Sequence, residues 1–362
     1  MRVASVAAGL SEGGRIRAGI GLLVLAGVLL LLWPAFDWAV TSAYWAGQGP
    51  QACPDRSGAC WPFIRERFDQ ILYGAYPAGE RWRVNTGLGL GALLLVPLIL
   101  LPLRRKAVWV GAFLLLYPLA ALALFAGGVF GLAPVGTSAW GGLFLTIVVG
   151  LFAFTAAFPM GILLALGRES PIPVVRMLAG SWVEFWRGVP TLVVLFVAVI
   201  MLPLFLPVER EIDKLVRALV ALSILMACYV GESIRGALRS VPRGQYESAR
   251  ALGMGYWRAH IHVILPQAIR VATPQITNIV IGLFKETSLL VVIGLSDLLG
   301  VVQAASGDTE WHLSSARATG YLFIALLYWG ICFAMSRYSA YLERRARRGW
   351  AGGAATGLGG GA

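Results

Sequence analysis

The chain has 362 residues, of which 58% are hydrophobic and only 13% are charged, and its formal net charge is +12. Soluble domains carry about a quarter charged residues, so this composition excludes an ordinary soluble protein and predicts a membrane protein that crosses the bilayer several times. In a soluble protein the basic excess would suggest nucleic acid, but here we assign it to positively charged loops on one face of a membrane and predict no nucleic-acid partner.

Long uncharged runs mark the predicted transmembrane helices, because a helix needs about 20 apolar residues to cross a bilayer. Arginines before the first run resemble the start of a signal peptide, but the run is long and lacks a clear cleavage site, so we predict a helix that is not removed. The predicted spans are 18–36, 84–103, two helices within 107–167, 188–208, 215–234, 264–284 and 318–336. The predicted fold class is an all-α integral membrane protein with about eight transmembrane helices.

The charge of the connecting segments predicts how these helices are oriented. An even number of spans places both termini on the same side of the membrane. If that side is the cytoplasm, every inner segment has a net positive charge and no outer segment does, as the positive-inside rule describes. We therefore predict a multi-pass protein with both termini in the cytoplasm.

The first predicted outer loop, 37–83, is long, balanced in charge and contains Cys53 and Cys60. If the loop faces an oxidising compartment, a disulfide between them is one expectation, and two free thiols are the other. The other cysteines fall inside predicted helices and the histidines have no metal-like spacing, so we predict no metal site. The chain ends in a basic and then Gly- and Ala-rich tail, 343–362.

A polar island, 242–266, separates the sixth and seventh predicted helices. Pro242 favours the start of a helix, Glu247 is spaced to pair with arginines on both sides of it, and Gly253 ends the helical pattern. Ala249 and Gly253 share a face whose small side chains would let another protein approach closely. A solvated amphipathic helix among the lipid headgroups is the alternative, and these spacings do not separate the two.

The order of residues in the island resembles the EAA loop of ATP-binding-cassette importer permeases, whose signature is Glu-Ala-Ala, three residues, Gly, and later Leu-Pro. The matching residues here are Glu247, Ser248, Ala249, Gly253, Leu265 and Pro266. Ser248 replaces the first alanine with another small residue. Segments similar to further motifs of the polar amino-acid permeases, in the same order, are 185–190, 229–236, 241–245 and 285–289.

The resemblance implies a domain organisation and a set of partners. By resemblance, 139–342 is the five-helix core of a type I importer permease, and 1–138 is an extension with three added helices and the periplasmic loop, similar to the longer permeases of general L-amino-acid importers. Such a subunit lies in a bacterial inner membrane. It pairs with a homologous permease, two ATPase subunits that dock on the EAA loop, and a periplasmic amino-acid-binding protein.

Ionisable residues near the ends of the predicted helices are further candidates, since such groups cost a few kcal/mol inside a bilayer and usually face a polar pathway or one another. An amino acid carries an ammonium and a carboxylate group that they could complement. The candidate substrate-pathway residues are Glu232, Ser233, Lys285, Glu286, Thr287 and Ser288. The structural alternative is that Glu232 pairs with Arg235, or Lys285 with Glu286, and holds helices in register.

The chain lacks a G-x-x-x-x-G-K-[ST] phosphate loop, so we expect it neither to bind nor to hydrolyse ATP, and we predict no catalytic residue and no cofactor. The expected function is the membrane-spanning permease of an ATP-driven amino-acid importer. The runner-up is a stand-alone secondary transporter or channel with Glu232 and Lys285 as an ion relay. An inverted internal repeat would favour it, and none is evident in the sequence.

Overall fold

The structure is a computed structural model that describes residues 19–24, 26–54, 57–100, 106–205, 207, 212–311 and 315–357. Over these residues the backbone forms helices, short 3₁₀ and π turns and loops, and its β-structure is restricted to isolated bridges. A backbone in lipid must satisfy its own hydrogen bonds, which a helix does within one segment. The predicted all-α class is confirmed.

The described helices follow one another along the chain and are numbered in that order. They are α1 (Gly19–Thr41), α2 (Trp61–Glu66), α3 (Phe68–Tyr73), α4 (Arg81–Leu100), α5 (Lys106–Ala126), α6 (Gly142–Arg168), α7 (Pro173–Gly188), α8 (Thr191–Phe196), α9 (Lys214–Ser240), α10 (Arg243–Ala251), α11 (Tyr256–Ala259), α12 (Leu265–Glu286), α13 (Leu298–Ser306) and α14 (Ala316–Gly357). A π turn, His260–Ile264, precedes α12, and a 3₁₀ segment, Thr287–Ile293, follows it.

Six of the described helical segments are long and apolar enough to cross a membrane: Gly19–Thr41, Val108–Ala126, Gly142–Arg168, Lys214–Ser240, Tyr256–Ile293 and Ala316–Arg344. A seventh crossing results if α7 and Thr191–Phe205 count as one broken helix. α4 also has 20 residues, which corresponds to about 30 Å, but it begins with two arginines within three residues. The predicted number of eight is therefore approximate, since it is reached only when α4 and the broken helix are both counted.

The structure differs from the prediction at the fifth span, 188–208. α7 ends at Gly188, and the chain turns by 98° before it continues as a helix at Thr191. Pro190 explains the break, because its ring lacks an N–H and keeps the preceding Val189 extended, at φ −98° and ψ 130°. The segment before the break, predicted as part of a loop, is an amphipathic helix.

One compact unit contains the described residues of Met1–Phe68 and Val302–Phe323. The loop that follows α1 is folded in this unit, because the N–H of Cys60 donates to the hydroxyl of Thr319 at 2.7 Å. Cys53 and Cys60 are joined by a disulfide, and both are buried. The described residues of 37–68, the first part of the loop predicted to lie outside, are therefore structured.

Replacing both Cys53 and Cys60 by serine, or reducing their disulfide, is expected to lower the free energy of unfolding by about 2 to 3 kcal/mol, because the bond closes a short loop and restricts the unfolded chain. Thermal unfolding with and without reductant measures this effect. A Cys228→Ala/Cys332→Ala variant removes the two free cysteines and should keep its full sensitivity to reductant. Maleimide labelling of Cys53 and Cys60 without reductant would instead support the free-thiol alternative.

The other compact unit contains the described residues of Asp69–Val301 and Ile324–Ala362. α6 and α9 lie side by side in its core and come close together at two glycines. A Cβ on Gly161 would lie 2.7 Å from a methyl carbon of Val230, and one on Gly231 would lie 3.0 Å from the carbonyl oxygen of Gly161. Small residues permit such close contacts between membrane helices. The contacts at Gly161 and Gly231 bring together the carboxyl ends of α6 and α9, where the candidate residues Glu232 and Ser233 lie.

A buried carboxyl group in the same unit caps the first turn of α13. The side chain of Asp297 is fully buried, and its Oδ1 accepts the N–H of Gly300 at 2.9 Å. This bond satisfies one of the donors that every helix leaves free at its start. Burial raises the pKa of Asp297 to about 6, although hydrogen bonds to the carboxylate oppose the shift.

Asp297→Asn is expected to remove part of the pH dependence of stability. The folded protein holds the proton of Asp297 more tightly than the unfolded chain does, so the free energy of unfolding falls by about 1 kcal/mol between pH 5 and pH 8 in the native protein. Asparagine keeps the oxygen that caps α13 but does not titrate. Thermal unfolding of both proteins at the two pH values tests this, and an identical pH dependence would contradict it.

Candidate functional site

The predicted helix within 242–266 is present as α10, and residues 242–266 are called the α10 loop below. Pro242 directly precedes α10 in an extended conformation, which turns the chain out of α9. Gly253 follows the helix with φ +71°. Its N–H donates to the carbonyl of Arg250 at 2.9 Å, and the N–H of Met254 donates to that of Ala249 at 3.0 Å. This Schellman arrangement satisfies the last carbonyls and favours glycine at the left-handed position.

Four of the six residues predicted for this site are exposed, namely Glu247, Ser248, Gly253 and Pro266. Ala249 and Leu265 are buried, with 2% and 8% exposure. The expectation that Ala249 lies on a face offered to another protein is therefore wrong. Helical spacing puts Ala249 on the same side as Tyr246, which packs against α9 and α12 of this subunit. Its small side chain lets α10 lie close to its own subunit.

Three contacts fasten α10 to the neighbouring membrane helices. The hydroxyl of Tyr246 donates to the carbonyl of Leu238 in the last turn of α9 at 3.2 Å, and its ring lies 6.0 Å from that of His260. The side-chain amide of Gln267, in the first turn of α12, donates to that of Gln245 at 3.0 Å. Burial, and then the nearby Glu169, raise the pKa of Tyr246, which keeps its hydroxyl protonated as a donor. A displacement of α10 would therefore move the ends of α9 and α12.

Sequence reasoning missed the large apolar side chains at the surface of the α10 loop. Leu252 is 81% exposed, Trp257 60% and Ile261 55%. Large apolar side chains that are exposed within one short segment are typical of contact surfaces with another protein or with lipid. The sequence could have indicated this surface, because these large apolar residues stand in the otherwise polar segment 242–266.

Glu232 lies at the centre of an ion-pair network that joins three helices. It accepts hydrogen bonds from Arg235, one turn along α9, with Nε at 3.0 Å, and from Nη1 of Arg168, at the end of α6, at 2.8 Å. Nη2 of Arg168 also lies 3.0 Å from a carboxylate oxygen of Glu184 on α7. The Glu232–Arg235 pair of the structural alternative is thus present, and the network holds α6, α7 and α9 in register.

The other candidate group, 285–288, lies at the end of α12. Thr191 of α8 donates to Glu286 at 3.3 Å, and Ser288 donates to the carbonyl of Lys285 at 2.8 Å. Thr287 is fully buried and donates to the carbonyl of Phe284 at 2.8 Å. The Lys285–Glu286 ion pair of the structural alternative is not formed, and among the described residues no hydrogen bond or ion pair joins Glu232 to this group.

Ser233 stands apart from both groups. It follows Glu232 on α9, and its hydroxyl is buried without a hydrogen-bond partner among the described residues. The six candidate substrate-pathway residues therefore do not form one cluster. Glu232 belongs to the ion-pair network and 285–288 form a second group, while the hydroxyl of Ser233 has no hydrogen-bond partner among the described residues.

Comparison with known proteins identifies the family. Residues 157–348 match the family described as binding-protein-dependent transport system inner membrane component. The chain is 45% identical over 331 residues to the inner membrane amino-acid ABC transporter permease protein YhdY of Escherichia coli (strain K12), an alignment that covers 90% of this chain and 89% of that protein.

Two further similarities cover different shares of the chain. The glutamate/glutamine/aspartate/asparagine transport system permease protein BztC of Rhodobacter capsulatus is 35% identical over 354 residues, covering 82% of this chain and 80% of that protein. A crystal structure of an amino acid ABC transporter with histidines is 32% identical over 56% of this chain and 91% of that chain, with a TM-score of 0.49.

The family match spans more than half of the chain, 157–348, and the two relatives align over most of it. Family members are multi-pass inner-membrane subunits that work with separate ATPase and binding-protein partners and are not themselves enzymes. The chain therefore belongs to the binding-protein-dependent inner membrane components, the permease subunits of ATP-binding-cassette transporters.

Proposed function

We propose that this chain is one permease subunit of an ATP-driven importer of amino acids. It forms the translocation pathway with a second, homologous permease, and two ATPase subunits dock on the α10 loop. The observation that carries the proposal is the α10 loop itself. It is an exposed polar helix that carries Glu247 and is fastened to the ends of two membrane helices, α9 and α12.

Amino acids are the proposed substrate class because YhdY is named as an amino-acid permease and BztC as a permease for glutamate, glutamine, aspartate and asparagine. An amino acid presents one ammonium and one carboxylate group. Lys285 and Glu286 offer the complementary charges at the end of α12, with the hydroxyl of Ser288 beside them. We therefore place the substrate pathway at 285–288 rather than at Glu232, whose carboxylate already binds two arginines.

The proposed mechanism is alternating access. ATP draws the two ATPase subunits together, and their surface grooves carry the α10 loops with them. Tyr246 and Gln267 transmit this motion to α9 and α12, because they bond α10 to both helices. The pathway then opens outward to receive the amino acid from a periplasmic binding protein, and hydrolysis returns it to the inward-open form. The α10 loop supplies shape and charge to this cycle and needs no reactive group or cofactor.

We also propose a membrane orientation and domain boundaries for the chain. Both termini lie in the cytoplasm, on the side of the α10 loop, as the charge distribution predicts. The permease domain is 139–342, and 1–138 is an added region with its own periplasmic loop. The cytoplasmic tail is 343–362.

The ion-relay alternative has weaker support. A relay residue must gain and lose a proton or a cation during the cycle, but Glu232 is held by Arg168 and Arg235. Lys285 is exposed and lies outside this network.

The test is uptake of radiolabelled amino acids into proteoliposomes that contain this chain with its partner permease and ATPase subunits. We expect uptake that requires both ATP and the binding protein. Uptake driven by an ion gradient without the ATPase would overturn the proposal in favour of the alternative. Competition with unlabelled acidic, amide, basic and apolar amino acids then identifies the substrates.

A further inference from the structure

A basic cavity at the carboxyl ends of α6 and α9 has no part in the proposed transport cycle. It has a volume of about 350 Å³ and opens between α6, α7 and α9. Four arginines line it, and a single carboxylate, that of Glu184, lies among its lining residues. The arginines are Arg168, Arg176, Arg235 and Arg239.

The carboxylates of the region neutralise two of these arginines more completely than the other two. Arg168 and Arg235 each contact two carboxylates. Arg176 instead donates to the carbonyl of Ser170 at 3.1 Å, and among the described residues no carboxylate lies within 4.0 Å of it. Arg239 pairs with Glu169 through Nε alone, at 2.7 Å, and is 63% exposed. The four arginines thus share three carboxylates, those of Glu169, Glu184 and Glu232, so the cavity keeps a net positive charge, with Arg176 unpaired by a carboxylate and Arg239 paired through one nitrogen only.

The position of the cavity favours a ligand from the membrane. Arg168 is the last residue of α6, and Arg235 and Arg239 lie in the last two turns of α9, so the cavity lies where two membrane-spanning helices end. The adjacent side of α7 is apolar and exposed. Met177, which lines the cavity, and Leu178 are each 62% exposed, and Val174 is 58% exposed. A charged recess thus adjoins an apolar strip at the membrane surface.

We propose that this cavity binds the phosphate group of an anionic phospholipid. Guanidinium groups suit phosphate because they present several N–H donors in a fixed plane. Arg176 and Arg239 are the main donors, and the acyl chains lie along Val174, Met177 and Leu178. The apolar strip is the reason to assign a lipid rather than a free phosphate ion. Basic recesses between membrane helices bind acidic headgroups in the same way, and the proposal does not depend on the transported substrate.

The experiment measures lipid binding to the purified transporter complex. Native mass spectrometry in detergent compares phosphatidylglycerol with phosphatidylcholine, which has the same acyl chains but no net charge. We expect retained phosphatidylglycerol, and about 25-fold weaker binding in Arg176→Gln/Arg239→Gln, since each basic residue near the surface contributes about fivefold. Arg176→Lys/Arg239→Lys keeps the charges and should retain most of the binding.

Matched controls make the proposal falsifiable. Arg337→Gln/Arg344→Gln removes two exposed arginines from α14, outside the cavity, and should leave lipid retention unchanged. Equal loss in both glutamine variants would overturn the proposal in favour of general attraction to the basic surface. Retention of both lipids alike would also overturn it. Displacement of phosphatidylglycerol by millimolar inorganic phosphate would assign the cavity to a soluble anion instead.

Discussion

Glu247→Lys is expected to abolish ATP-dependent uptake while the complex still inserts into the membrane. Glu247 is exposed on α10, so its replacement leaves the subunit's own contacts in place. If an ATPase subunit docks there, reversing the charge in that interface costs about 2 kcal/mol or more, which weakens docking by a factor of about 30. The measurement is amino-acid uptake per inserted complex in proteoliposomes, together with the amount of ATPase that copurifies.

Glu343→Lys is the matched control for this prediction. It reverses an exposed carboxylate on α14, outside residues 242–266, and should leave uptake near the native rate. Gly253→Glu is a less direct test, because the left-handed backbone at φ +71° disfavours any side chain and would also distort the loop. Native uptake by Glu247→Lys would contradict the proposed docking surface.

Glu232→Gln is expected to destabilise the subunit but to leave transport per folded complex intact. The side chains of Glu232, Arg168 and Arg235 are only 15% to 23% exposed. Loss of the carboxylate leaves Arg168 with only the exposed Glu184, and Arg235 with only Glu169 at 3.4 Å, as counter-charges. This should lower the free energy of unfolding by about 2 kcal/mol, less than for a fully buried pair. Thermal unfolding should show a Tm lower by about 3 °C.

The control removes a different carboxylate from the same network. Glu184 also pairs with Arg168, but its side chain is 72% exposed, so Glu184→Gln should change stability by less than about 1 kcal/mol. A structural role for Glu232 predicts that its variant expresses poorly and that the remaining folded complex transports normally. An unchanged Tm combined with lost uptake would instead assign Glu232 to the translocation pathway.

At the α10 loop, the sequence predicts the local helix but not how that helix packs. Pro242, the polar segment after it and Gly253 predict a short helix with a defined end, and the structure contains that helix. Those signals are local, because each acts on the backbone within a few residues. The direction in which α10 faces depends on Tyr246 and on distant residues of α9 and α12. The burial of Ala249 could therefore not be predicted.

For the membrane-spanning helices too, the sequence predicts local structure but not packing between distant segments. Apolar runs predict most of the membrane helices, since the length and composition of one segment decide whether it can cross a bilayer. The bend at Pro190 alters the fifth of them, because a proline inside an apolar run is compatible with both a kinked helix and a broken one. The angle between the two parts is settled by what each part packs against.

The sequence by itself determined that this protein is an all-α membrane protein, where its polar loop lies and which family its motifs resemble, because these properties are carried by composition and by residues close together in the chain. Only the tertiary structure decided that Glu232 binds Arg168, 64 residues away, that Lys285 and Glu286 form no ion pair, and that four arginines of three helices line one cavity. Such contacts depend on how helices distant in the chain pack, and Gly161 and Gly231 permit the close packing of two of them, α6 and α9.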